Sequence, residues 1–215
     1  MRLCRFADQC ASRTDAELRA YLLEFLFSGL PDAQMDELLT LYPQNVSQGS
    51  PYDTGTKNAL TPESKRIASI MGDLVFQAPR RFFVQTVSDK QNTWSFCTLC
   101  AYACAQVLVL TDTSADSYTV SKRLKSLPIL GSFHQSDLVN IYGGGDLTDF
   151  LIRFVTNLDP NVDGVLSPQW PRYTSSSPQL MTLLGSQSSY DNRTITQDTY
   201  RAQGIEFLTN LSLAL

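Results

Sequence analysis

Apolar side chains recur at helical spacing in four stretches of this chain, and each stripe needs a surface to cover it before its helix is stable in water. Thr14-Asp15-Ala16-Glu17 predicts a capping box, in which threonine and glutamate satisfy free amides at a helix start. Leu18, Leu22, Phe25 and Leu26 then fall on one face. Pro31 opens a second helix with Met35, Leu38, Leu39 and Tyr42 as its stripe, and Pro43 stops it. Gln44 to Leu60 reads as a loop, after which Thr61-Pro62 caps a third helix. Its face is Ile67, Ile70, Met71, Leu74 and Val75, and Pro79 should end or kink it. Asp146 caps a fourth, with Leu147, Phe150, Leu151, Phe154, Val155 and Leu158 as core.

Strand signals are fewer. Asn92 to Phe96 and Leu127 to Leu130 read as strands, and the tail reads as short strands or turns before a last helix near Asp198 to Leu213. No internal repeat, low-complexity linker or second domain interrupts the pattern. A formal charge of -4 argues against a nucleic-acid partner, because phosphate binding wants a basic face. No run of about 18 apolar residues is present, so no transmembrane helix is expected. Met1 to Asp8 has charges at short intervals and no apolar core, so it does not read as a signal peptide. Asn45, Asn192 and Asn210 head N-x-S/T sequons, which point to an extracellular parent.

His134 is the only histidine, and it lies in Gly131-Ser132-Phe133-His134-Gln135-Ser136-Asp137. Imidazole alone has an unperturbed pKa near neutrality, so acid–base chemistry here would fall to it. The turn follows the apolar run Leu127-Pro128-Ile129-Leu130 and precedes Gly143-Gly144-Gly145, the setting in which catalytic side chains are presented. The glycine run reads as a flexible loop feeding the next helix.

Several blocks in consistent order carry a resemblance. They are Gln48-Gly49-Ser50-Pro51-Tyr52-Asp53-Thr54-Gly55, Gly72-Asp73-Leu74-Val75-Phe76-Gln77-Ala78-Pro79-Arg80-Arg81, Gly131 to His134, Tyr142 to Asp149, Phe154 to Pro160, and Trp170-Pro171-Arg172-Tyr173-Thr174. Together they resemble the C-terminal part of fungal type-B carboxylesterases and lipases, from about Thr14 to about Leu213. The resemblance implies an α/β fold: the C-terminal, mostly helical portion of an α/β-hydrolase, with an incomplete central sheet. It assigns His134 as the histidine of a serine–glutamate–histidine triad, and it implies carboxylic-ester or lipid substrates without a metal or organic cofactor. No G-x-S-x-G elbow occurs in the sequence, and the fold's triad order is serine, acid, histidine, so the other two members are expected upstream of residue 1. Residues 1–215 thus read as one partial domain, inactive alone.

Two segments fall outside the resemblance, residues 1–13 and the 24 residues from Cys97 to Val120. All five cysteines lie in them: Cys4, Cys10, Cys97, Cys100 and Cys104. Joining Phe96 to Ser121 would restore a continuous block, as if an intron had been read through in frame. Cys97-Thr98-Leu99-Cys100 has the spacing of a zinc or redox pair. The apolar run Val107-Leu108-Val109-Leu110 behind it reads instead as a strand or buried helix.

The alternative function is a non-catalytic truncated protein that binds a full-length relative or a lipid surface through uncovered helix faces. Stripes without their sheet would expose several hundred Å² of apolar surface, a patch size that signals a partner or aggregation. Burial contributes only about 25 cal/mol per Å², against ordering costs of about 1–2 kcal/mol per residue. The isolated chain is therefore expected to express poorly in soluble form, and a sharp cooperative melt of the purified protein would contradict this.

Overall fold

The computed structural model describes residues 12–50, 52–100, 103–104, 109–111, 142, 146–162, 166–184 and 193–214. Helix α1 (Asp15–Phe25) starts on the expected capping box: Thr14 Oγ1 accepts from the Glu17 amide, and the Glu17 carboxylate accepts from the Thr14 amide. Helix α2 (Asp32–Leu41) begins behind Pro31, and Met35, Leu38, Leu39 and Tyr42 are buried as predicted. The loop that follows holds one short 3₁₀ turn, Val46–Gln48.

Helix α3 (Ser64–Gly72) starts later than Thr61-Pro62 suggests, behind Glu63 and without a side-chain cap, and Ser64 instead ties down the loop before it. Ser64 Oγ accepts from the amides of Leu60 and Thr61 and donates to the Thr61 carbonyl. The Thr61 hydroxyl is buried without a partner among the described residues. Pro79 neither ends nor breaks the helical path. A π-helical stretch, Asp73–Gln77, joins α3 to α4 (Ala78–Val87), and Pro79 sits in the first turn of α4, where a missing N–H costs little. The wider π turn shifts the 3.6-residue periodicity, so Asp73 and Gln77 turn inward and Val75, expected in the core, turns out.

The sheet is mixed. Strand β1 (Thr93–Cys100) pairs in parallel with β4 (Gln179–Leu184), which pairs antiparallel with β5 (Arg193–Gln197). On its other edge β1 carries β2 (Ala103–Cys104) and β3 (Val109–Thr111), both antiparallel. Helix α5 (Asp146–Asn157) lies between β1 and β4 in sequence, and α6 (Ala202–Ala214) closes the described chain.

Two main cores result. In the first, stripes of α1, α2 and α3 close on one another and on Ile205, Leu208 and Leu211 of α6. The open faces expected for these helices are therefore covered by α6 rather than left to solvent. In the second, Leu147, Phe150 and Phe154 of α5 pack on Trp94 and Phe96 of β1, Met181 of β4, and Trp170. Val155 and Leu158 were assigned to the same stripe but are 65% and 52% exposed. Leu158 lies beyond the helix end at φ 57°, a left-handed stop that turns the chain away from the sheet.

Gly204 of α6 sits where the Tyr42 ring crosses the helix. A Cβ there would stand 2.9 Å from the ring, which is itself fixed by its hydroxyl donating to Asp73. Alanine is favoured over glycine in a helix by about 1 kcal/mol, but overpacking costs about 1–3 kcal/mol. Gly204→Ala is therefore expected to lower stability by about 1–2 kcal/mol, measured as a fall in the denaturant midpoint at unchanged slope.

Candidate functional site

Parallel strands β1 and β4 have α5 packed against them, and in sequence His134 falls between Thr111 of β3 and Asp146 of α5. His134 itself lies outside the described residues, as do Gly143-Gly144-Gly145 and the predicted strand Leu127 to Leu130. What the structure supplies is the frame of β1, α5 and β4.

That frame is aromatic and tightly bonded. Trp94 meets Phe154 edge-on at 5.8 Å, and Trp170 meets Phe96 at 5.2 Å and Phe150 at 5.5 Å, again edge-on. Trp170 Nε1 donates to the Ser95 carbonyl at 3.0 Å, tying the loop before β4 to β1. Asn161 grips the same loop: its amide donates to the Trp170 carbonyl at 2.8 Å and accepts from the Trp170 amide at 2.6 Å. The loop before β4 is thus held both to β1 and to the turn that follows α5.

Two buried carboxylates lock the turn after β5 to the helical layer, and neither is evident from sequence. Asp198 receives both guanidinium groups of the Arg80-Arg81 pair: Arg80 at both carboxylate oxygens, Arg81 through Nη2 at 2.8 Å and Nε at 3.1 Å. The Tyr173 hydroxyl donates to the same carboxylate at 3.1 Å. Asp73 is held by Arg201, through Nη2 at 2.6 Å and Nε at 2.7 Å, and by the Tyr42 hydroxyl at 2.9 Å. Burial and the adjacent Asp198 push the Tyr173 hydroxyl above its ordinary pKa, so it stays a donor. These groups satisfy one another and read as anchors. Only the adjacent arginines Arg80-Arg81 hinted at them, and nothing local names their partner 117 residues away.

Lys65 is buried without a carboxylate, and its ammonium donates to the Thr54 hydroxyl and the Gly55 carbonyl. Burial lowers its pKa, and its bonds fasten the loop before α3. A cavity of about 210 Å³ lies nearby, lined by Tyr42, Tyr52, Arg66, Ser69 and Arg201 among others. Arg66 in that wall is bound to Asp15 and Glu63, and Arg201 to Asp73.

Comparison with known proteins places these features. Lipase 4 of Diutina rugosa is 37% identical over 169 residues, which are 76% of this chain and 26% of that protein. This chain belongs to the fungal lipase and carboxylesterase family. Lipase 2 of Geotrichum candidum is 32% identical over 198 residues, 89% of this chain and 30% of that lipase. A secreted triacylglycerol lipase of Gibberella zeae is 29% identical over 197 residues, 87% of this chain and 30% of that lipase. The chain spans between a quarter and a third of the length of these lipases. No family model matches it. The small mixed sheet with helices packed on it is compatible with part of an α/β fold of the lipase kind. Among the described residues, no helix is long and apolar enough to cross a membrane.

The Asp198 cluster makes the lipase-like frame acid-sensitive. Burial alone would raise this carboxyl, but Arg80 and Arg81 outweigh it and hold it below the ordinary aspartate range. A carboxyl depressed in the folded state stabilises it above the unfolded pKa of about 3.9, and that contribution is lost as pH falls through the lower folded value. Asp198→Asn leaves two guanidinium groups buried without their counter-charge, at a cost of about 3–5 kcal/mol. Thermal melts across pH 2–6 are expected to show the acid loss of stability in the parent chain and a much flatter profile in the variant.

Proposed function

We propose that this chain carries the general base of a serine carboxylic-ester hydrolase, acting on lipids or other carboxylic esters. The observation that carries the reading is His134 in a Gly-Ser-Phe-His turn, within a chain whose homologues are lipases over most of its length. In this reading residues 1–215 are one partial α/β-hydrolase unit, and the nucleophile and the acidic triad member come from sequence that the chain does not contain.

His134 then takes the proton from the serine hydroxyl as it attacks the ester carbonyl, and returns it to the departing alcohol. Water repeats the cycle on the acyl-enzyme, with the imidazole again as base. A carboxylate on the far ring nitrogen orients the histidine and stabilises its charged form. The described frame supports this by fixing β1 and α5, the elements on either side of the histidine leg.

An extracellular parent fits the same reading. Relatives in Gibberella and Botryotinia are named secreted lipases. Asn45 and Asn210 are exposed sequon asparagines, open to glycosylation, while Asn192 lies outside the described residues.

The test is a chimera in which this chain, with residues 97–120 removed, replaces the matching part of Diutina Lipase 4. Hydrolysis of a p-nitrophenyl ester is expected, and His134→Ala should lower kcat by roughly 10⁴-fold or more. The chain by itself should show no turnover. Chimera activity that survives His134→Ala would remove this histidine from the mechanism.

A further inference from the structure

Asn45 and Asn210 each head an N-x-S triplet, yet the fold sets the two asparagines in different backbones. Asn45 stands in the loop after α2, extended at φ -132° and ψ 103°, at the entrance of the 3₁₀ turn Val46–Gln48. Its Oδ1 accepts from the Ser47 amide at 3.1 Å and from the Ser47 hydroxyl at 2.7 Å. The backbone is tied locally as well: the Asn45 amide donates to the Pro43 carbonyl at 2.7 Å, and the Gln48 amide to the Asn45 carbonyl at 2.9 Å. Asn45 and Ser47 are both exposed, and Nδ2 of Asn45 makes no hydrogen bond among the described residues. Carboxamide and hydroxyl are thus presented side by side on one outward turn.

Asn210 is exposed too, but it lies inside α6. The middle residue of its triplet, Leu211, is buried in the helical core together with Leu208. Residues two apart on a helix do not face each other, so the Asn210 carboxamide and the Ser212 hydroxyl diverge. The Ser212 hydroxyl instead donates back along the helix to the Leu208 carbonyl at 2.8 Å. Exposure of an asparagine is only one requirement of an acceptor. The triplet must also offer its hydroxyl beside the carboxamide, which is why N-x-S/T acceptors belong to surface loops.

We propose that Asn45 is an N-glycosylation site which the folded chain still presents, whereas Asn210 can accept a glycan only before α6 forms. The inference rests on the extracellular parent proposed above. The sugar donor is an oligosaccharide linked to a lipid diphosphate. A bond forms between Asn45 Nδ2 and the anomeric carbon as the bond from that carbon to the diphosphate oxygen breaks. The lipid diphosphate leaves with the electron pair, and Nδ2 gives one proton to a base of the transferase.

The first test uses the full chain secreted from yeast behind a secretory leader. Release of the glycan by a peptide N-glycosidase turns a modified asparagine into aspartate, and peptide mass spectrometry reads that change at each position. Asn45 is expected to be converted in most molecules, and an unconverted Asn45 would overturn the site. The second test gives sugar-free chain from bacteria to a purified N-x-S/T transferase with its lipid-diphosphate donor. Synthetic peptides of residues 41–50 and 206–215 serve as unfolded references. Relative to its peptide, Asn45 of the folded chain should react within about threefold, and Asn210 on the order of tenfold more slowly or worse, because its helix must first open locally. Equal slowing at both positions would overturn the folded-state preference. Should the sugar-free chain not fold, the occupancy of Asn45 in the secreted product decides alone. The leader imposes secretion, so a bare Asn45 removes this site and leaves the ester-hydrolase reading intact, while an inactive chimera does the reverse.

Discussion

Asp198 is the point on which the two halves of this structure depend. Its carboxylate has no access to water and is neutralised by Arg80 and Arg81 of α4, with Tyr173 as a third donor. A buried charge without such partners is strongly destabilising, and with them it ties three chain segments together at one atom pair. The turn that carries Asp198 follows β5 and leads directly into α6, whose apolar face completes the helical core. Arg201, three residues on, repeats the device in reverse by binding Asp73 of the π turn. Sheet, helical layer and final helix are therefore joined by two charge clusters.

The helical parts were largely legible in the sequence because a helix buries one stripe, and a stripe has a period. The capping box at Thr14 and the faces of α1 and α2 needed no tertiary information. The errors fall where one local device replaced another. Helix α3 starts after Glu63 without the side-chain cap expected at Thr61, and a π turn absorbed Pro79 without ending the helical run. One added residue in that turn was enough to invert the orientation of Val75. At α5 the periodicity continued past the end of the helix, so Leu158 was counted into a stripe that had already stopped.

The candidate site divides in the same way. His134 was proposed from a short, local pattern, a lone imidazole in the sequence Gly-Ser-Phe-His, and it lies outside the described residues. The frame around its leg was not legible. Trp170 on the Ser95 carbonyl and Asn161 on the Trp170 backbone join residues that only folding brings together. The cysteine-bearing segment is a further case: its apolar run read as a strand or buried helix, and its described residues lie in β1, β2 and β3, with Cys97 and Cys100 in β1 and Cys104 in β2.

By itself the sequence determined where most helices lie, that one imidazole stands in a Gly-Ser-Phe-His sequence, and which relatives the chain has. All three are written in short windows or linear blocks, where period, cap and motif are readable. Only the tertiary structure decided what covers the helix stripes, which arginines meet Asp198 and Asp73, and that β2 and β3 pair with β1. Those outcomes depend on contacts between residues up to 128 positions apart, and long-range pairing leaves no local signature.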